Sequence, residues 1–221
     1  FGISIPLRFR FNYAYKIYNQ DCLEAMKSIQ DNEFDFAITD PPYNLNYNYN
    51  KYKDDLSNDE YTQWCKDWFT ELKRICAKGI FISCGISNIG LWHKIEKPKW
   101  ILCWHKPAAM GRCAVGFNNF EPILFYGKVS KQGVDVIKAP IISDKTMDFH
   151  SCPKPVKWSE GILHNFCKKG DKIIDIFLGS GSTAIACHNL GYDLTGYELD
   201  KEYYDNAIKR IKNHQAQTRI F

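Results

Sequence analysis

The sequence predicts an α/β fold built on a seven-stranded, mostly parallel sheet. Two observations predict it. Short runs rich in β-branched and aromatic residues recur along the 221 positions, separated by segments of helical periodicity. At Lys172 to Leu190 a strand, a glycine turn and an apolar helix follow one another directly, the local build of a nucleotide-binding crossover.

Taken in order, strands are expected at Tyr15 to Asn19, Phe34 to Thr39, Gly79 to Ser83, Trp100 to Trp104, Pro122 to Tyr126, Lys172 to Phe177 and Asp193 to Glu198. Each is a short apolar or alternating run. Helices are expected at Cys22 to Ile29, Tyr61 to Cys76, Trp158 to Cys167, Thr183 to Leu190 and Lys201 to Lys212. Trp64 and Trp68, four apart on one helix, read as packing residues. Residues 44–55, rich in Asn, Tyr and Lys, and residues 128–148, which lack a clear period, read as long loops. Tyr47, Tyr49 and Tyr52 in the first loop are of a type that stacks on nucleic acid. No repeat or linker divides the chain, so a single domain over 1–221 is expected.

Composition narrows the class. With 45% hydrophobic and 24% charged residues the chain is not disordered, collagen-like or a coiled coil. Twenty-nine basic against twenty-five acidic residues leave +4, which permits a polyanionic partner without demanding one. The nine cysteines form no C-x-x-C pair, so they read as free thiols in a reducing, cytoplasmic setting rather than as metal ligands. No run approaches the roughly 20 apolar residues of a membrane span.

The strand Lys172 to Phe177, carrying Asp175, leads into Leu178-Gly179-Ser180-Gly181-Ser182-Thr183-Ala184. Glycines there let the backbone turn sharply and approach a ligand, and the following helix offers free N–H donors. Glu198, at the end of the next strand and nineteen positions after Gly179, is placed to accept hydrogen bonds from ribose hydroxyls.

Phe34 to Thr39 runs straight into Asp40-Pro41-Pro42-Tyr43. Two prolines end the strand and bring no N–H, so the segment presents the Asp40 carboxylate and the Pro41 carbonyl as acceptors beside an aromatic ring. Two converging acceptors suit an exocyclic amino group on a planar base, with Tyr43 stacked on the ring. Holding both hydrogens turns the nitrogen lone pair away from conjugation and makes a poor nucleophile usable.

Asp21, Asp40, the glycine turn and Glu198 each follow or close a different strand, and open α/β sheets bind ligands beyond those ends. Only one strand and one helix follow the glycine turn, so the sheet must take its other strands from earlier in the chain. The fold expected is therefore Rossmann-like and circularly permuted, and a dehydrogenase that opens on its glycine fingerprint is disfavoured.

These residues carry a resemblance. The sequence resembles the S-adenosyl-methionine-dependent DNA amino-methyltransferases (N-4/N-6 DNA methylases) of the β-type motif order, in which Asp-Pro-Pro-Tyr precedes the glycine-rich cofactor motif. The matching segments are Asn19 to Leu23, Asp40 to Tyr43, His150 through Lys154-Pro155, Asp175 through Gly181, and Glu198 to Asp200. Ser151-Cys152-Pro153 departs from the family's more usual Pro-Thr-Gln.

The resemblance implies a Rossmann-like methyltransferase sheet, S-adenosyl-methionine as cofactor and double-stranded DNA with a flipped target base as partner. It implies that Asp21 contacts the cofactor adenine, that Glu198 holds the ribose, and that Phe177 and the turn Gly179-Ser180-Gly181-Ser182 lie against the methionyl part. Lys154 corresponds to a residue near the cofactor carboxylate. Cys22, Asp40, His150, Asp175 and Leu199 are expected to complete the cofactor site, with Asp40, Pro41, Pro42 and Tyr43 catalytic and no metal.

The family also implies a target-recognition segment, here short, at about 127–149. Asp at the first motif position favours adenine N6 over cytosine N4. A catalytically idle DNA-binding subunit is a further alternative, and a homodimer or a partner subunit is a further expectation, as is a place beside the nucleoid. His105 and Lys106 are expected as a loop histidine and a solvated lysine. Arg112 and Glu121 stand in a family-like context without an assigned role.

Overall fold

The computed structural model describes residues 14–46, 48–49, 52–141 and 153–218. Its strands are β1 (Tyr15–Asn19), β2 (Phe34–Thr39), β3 (Asn48–Tyr49), β4 (Tyr52–Lys53), β5 (Cys76–Ser83), β6 (Trp100–His105), β7 (Arg112–Cys113), β8 (Gly116–Phe117), β9 (Phe120–Gly127), β10 (Val136–Lys138), β11 (Lys172–Asp175) and β12 (Asp193–Glu198). Its helices are α1 (Cys22–Met26), α2 (Asn58–Ile75), α3 (Ile89–Ile95), α4 (Val156–Phe166), α5 (Ser182–Leu190) and α6 (Lys201–Thr218).

The main sheet runs β1-β12-β11-β2-β5-β9-β6-β10, and every neighbouring pair is parallel except the two that β9 makes. β11, late in the chain, lies beside β2, early in it, which is the permuted order. The sheet has eight strands rather than the seven expected. The addition, β10, is three residues long beside polar Asp135, too short to show a period of two, and it forms because Val136 to Lys138 can pair with Cys103 to His105 at the sheet edge.

Alternating side chains send two cores to opposite faces. Phe36 and Ile38 pack with Trp158, Ile162, Ala184 and Ile211 beneath α4, α5 and α6. Ala37 packs on the other face with Met26, Trp68, Leu72 and Trp92 beneath α1, α2 and α3. Phe34 joins this second face although it shares parity with Phe36, because the register shifts between them. Trp68, Trp92 and Trp158 are fully buried, and each such side chain contributes about 1.5–3 kcal/mol or more by leaving water.

Local chemistry sets the element ends. Ser57 and Glu60 form a capping box that starts α2, and Lys73 and Arg74 sit in its last turn. Arg74 also donates to the carbonyls of Met26, the last residue of α1, and of Ile29 beyond it, and the helix stops at Met26 rather than at Ile29. β11 stops at Asp175, before Phe177, because Phe177 N donates back to Asp175 Oδ1 and turns the chain out of the sheet. Helix α3 was not expected from the sequence, where its seven residues carry no cap.

The loop after Asp40-Pro41-Pro42-Tyr43 carries the small hairpin β3–β4. Its base is clasped: Asp54 accepts from Asn44 N and Leu45 N, and Asn44 exchanges hydrogen bonds with Leu56. Among the described residues no helix is long and apolar enough to cross a membrane.

Candidate active site

β1, β2, β11 and β12 run parallel, so their carboxyl ends share one edge of the sheet. A cavity of about 550 Å³ opens there, lined among others by Asp21, Cys22, Asp40 to Tyr43, Glu121, Lys154, Asp175 to Ser180, Ser182, Glu198 and Leu199. The switch point of the sheet lies between β11 and β2, and the cavity spans it.

One half is built from main chain. Gly179 and Gly181 take positive φ values of 53° and 79°, and a Cβ at Gly181 would also come within 3.1 Å of Ile211 on α6. Gly181 caps α5 without a side-chain hydrogen bond, so among the described residues no side chain caps the first-turn donors. Arg210 of α6 donates to Ser180 O and to the hydroxyls of Ser180 and Ser182, and Ser182 Oγ donates to Lys154 O at 2.6 Å.

Glu198 accepts from Gly179 N and Asp200 N, both at 2.8 Å, one on each carboxylate oxygen. With about four lone-pair sites, the carboxylate retains acceptor capacity for a further donor. Burial raises the Glu198 carboxyl above its ordinary value. Asn19 Nδ2 ties down the carbonyls of Glu198 and Leu199. Asp21 is the N-cap of α1 and accepts from Glu24 N, a structural duty its place beside the cavity does not preclude. Cys22 is buried, with its thiol pushed up to about 12 by burial and by Asp21.

Asp175 joins the halves. Buried on β11, it accepts from Thr39 Oγ1 of β2 and from Phe177 N, both at 3.1 Å. Burial pushes its carboxyl up to about 7. Phe177 lies across the cavity wall with its ring 5.4 Å from those of Trp64 and Trp68. Trp68 is buried as expected, whereas Trp64 also lines the cavity.

The other half is built from side chains. Tyr43 OH donates to Asp40 Oδ1 at 2.9 Å and shares a 2.6 Å hydrogen bond with Ser83 Oγ. Lys154 Nζ lies 3.0 Å from Asp40 Oδ1, 3.2 Å from Glu121 Oε2 and 3.1 Å from Tyr43 OH. Lys106 Nζ meets Glu121 Oε1 at 2.8 Å. Burial sends the Tyr43 hydroxyl well above its usual value. Burial opposes the Lys154 charge, but Asp40 and Glu121 outweigh it and raise the ammonium; burial likewise opposes the Glu121 charge, but the two lysines hold that carboxyl low.

The proline segment is anchored around a gap. Pro42 O accepts from Tyr61 OH and Tyr43 O from Asn88 Nδ2, while the Pro41 carbonyl and Asp40 Oδ2 accept nothing among the described residues. Gly85 backs the Tyr43 ring.

Two expectations change. Lys106 is not solvated: it is 5% exposed, because β6 and β9 pair with Trp104 opposite Glu121 and so deliver Lys106 to that carboxylate. His105 does not lie in a loop: it is the last residue of β6, paired with Phe120. Sequence reasoning did not find Trp64, Ser83 or Lys106 at the site. Only the length of β5 hinted at Ser83, the last residue of a strand whose end shares the crevice. His150 and the whole 142–152 stretch lie outside the described residues. Arg112 and Asn118 of the β7–β8 hairpin also line the cavity, with Arg112 stacked 4.6 Å over Phe117.

Fold and cavity define a class: a doubly wound α/β enzyme of permuted strand order with its crevice at the switch point. Within that class the chain belongs to the DNA methylase (N6/N4 methyltransferase) family, whose model matches residues 34–148 and 142–209. It is 25% identical over 227 residues to the type II methyltransferase M.HpaI of Haemophilus parainfluenzae, covering 86% of this chain and 72% of that protein. It is 24% identical over 250 residues to the type II methyltransferase M.ScaI of Streptomyces caespitosus, covering 89% and 81%.

Solved structures share the fold. The PvuII DNA methyltransferase, described as cytosine-N4-specific, superposes with a TM-score of 0.71 at 15% identity over 94% of this chain and 95% of that one. The M1.HpyAVI–SAM complex superposes with a TM-score of 0.66 at 22% identity, covering 90% and 99%. The cofactor is S-adenosyl-methionine and the substrate is DNA. The cavity suits this cofactor: Glu198 keeps acceptor capacity for hydroxyls, the glycine turn leaves backbone room, and Trp64 and Phe177 supply an apolar wall.

Proposed function

We propose that this chain methylates the N6 amino group of adenine in double-stranded DNA, on a base turned out of the duplex into the cavity. The observation that carries the reading is a pair of acceptors without a partner among the described residues, Asp40 Oδ2 and the Pro41 carbonyl, on a segment otherwise tied down at Pro42 O and Tyr43 O. Each accepts one amino hydrogen, which frees the nitrogen lone pair from the ring. Asp40 then stands ready to take the proton the amine gives up. Tyr43, anchored by its hydroxyl and backed by Gly85, offers its ring to the base. Bound S-adenosyl-methionine supplies an electrophilic sulfonium methyl. The protein's contribution is alignment and exclusion of water.

In this reading Glu198 and Leu199 hold the ribose, Asp21 and Cys22 flank the adenine, and Asp175, Phe177 and Gly179 to Ser182 border the methionyl part. One domain carries both halves, with loop 44–55 and the stretch at about 127–149 as its insertions. Asp at the first motif position supports adenine over cytosine.

Cytosine N4 is the second reading, favoured by the likeness in fold to the PvuII enzyme. Nucleoside analysis of DNA methylated by the protein decides between them. N6-methyladenine is expected, N4-methylcytosine replaces the reading, and cofactor binding with neither product marks an idle subunit.

A further inference from the structure

We propose that Glu121 is a positioning residue for methyl transfer: it holds the Lys154 ammonium so that Lys154 and the Tyr43 hydroxyl fix one oxygen of Asp40 and leave the other to the target amino group. This rests on the reading that Asp40 receives that group.

The geometry is specific. Asp40 Oδ1 accepts twice, from Tyr43 OH at 2.9 Å and from Lys154 Nζ at 3.0 Å, while Oδ2 has no partner among the described residues. A carboxylate held through one oxygen by two donors has a defined plane, which a single contact does not impose. Lys154 cannot supply its contact alone. Its four-carbon stem is flexible and its ammonium carries three donors, each needing an acceptor where water is excluded.

Three acceptors are present: Asp40 Oδ1, Tyr43 OH and Glu121 Oε2, the last at 3.2 Å. Glu121 is fixed in turn from the far side by Lys106 at 2.8 Å, whose ammonium also lies 5.5 Å from the Trp104 ring centre. The two carboxylates and two ammonium groups cancel in formal charge. A buried cluster of that kind tolerates the loss of one member poorly, because the partner is left uncompensated. Removing the Glu121 charge releases Lys154 to pivot on Asp40, and the Asp40 plane pivots with it.

E121Q keeps the side chain's size and one acceptor oxygen and removes the charge. The single-turnover rate is expected to fall roughly tenfold to a hundredfold, as for a reacting group displaced by a fraction of an ångström. Cofactor affinity by calorimetry stays close to wild type, while the melting temperature falls because Lys106 loses its only carboxylate partner among the described residues. In a K154Q background the same substitution changes the rate by less than about twofold, because the residue through which Glu121 acts is gone.

An equal loss in both backgrounds, or a wild-type rate in E121Q, overturns the proposal. So does a joint fall in melting temperature and cofactor affinity that accounts for the rate. Where E121Q does not fold, E121Q/K106M removes opposite charges together and carries the same comparison. D40A run alongside separates the two claims. A wild-type rate in D40A removes the reading of Asp40 and this proposal with it, whereas loss in D40A without loss in E121Q removes the role of Glu121 alone.

Discussion

The two halves of the cavity are held by different forces. Around the glycine turn main-chain N–H groups donate to carboxylates two or nineteen positions away: Gly179 N to Glu198, Asp200 N to Glu198, Phe177 N to Asp175. Around Asp40 they are side-chain contacts between charged or hydroxylic groups, from Tyr43 three positions on and from four distant places, Ser83, Lys106, Glu121 and Lys154. A backbone cradle keeps its shape with or without a ligand. A charge cluster keeps its shape only while every member is present, since each buried ion depends on its partner.

Substitutions on either side sharpen that contrast, and the largest effect is expected on the charged side. D40A should lower the single-turnover rate by ~10²–10⁴-fold, the scale of removing an acid–base group, while calorimetry shows cofactor affinity near wild type. A parallel loss of cofactor binding would mean that the halves are not independent.

Asp175 tests the joint between them. Its carboxyl is pushed up to about 7 in the folded chain, whereas an unfolded chain leaves it at roughly 3.9. The folded state then binds more protons within that window. Stability should be greatest at the acid end and decline as pH rises from about 4 to about 7, by on the order of a few kcal/mol relative to D175N. Urea melts of both proteins at pH 5 and pH 8 measure the difference. A gap between them that does not change with pH would place the proton elsewhere.

On the backbone side, E198A should weaken cofactor binding about tenfold to a hundredfold, the equivalent of one lost charged hydrogen-bond acceptor at ~1.5–3 kcal/mol. The rate at saturating cofactor should change less. Equilibrium dialysis and single-turnover kinetics separate the two. G181A is expected to have the smallest effect, about 1–2 kcal/mol of stability in urea, from the positive φ and the approach to Ile211. A larger fall in rate than in stability would show that the cradle is as sensitive as the cluster.

The same contrast explains what could be read from the chain. Strands β1, β2 and β12 end where their apolar runs end, and Gly179, Gly181 and Glu198 stand at spacings that local geometry makes meaningful. Lys106 read as a surface lysine because nothing near it in sequence balances its charge. Glu121, fifteen positions away, does so only through the β6–β9 register. Trp64 shares a helix face with buried Trp68, and periodicity cannot tell a core position from the wall of a cavity one turn away. β10 lacked a signal because three residues show no period.

By itself the sequence determined the α/β class, the permuted order and the two motifs that face each other across the crevice, because each depends on residues adjacent in the chain. The tertiary structure alone decided how Asp40 is held. Lys154 reaches it from 114 residues away, with Tyr43, Glu121 and Lys106 completing the cluster. Pairing between charges is a property of distance in space, and chain separation carries no record of it until the sheet has closed.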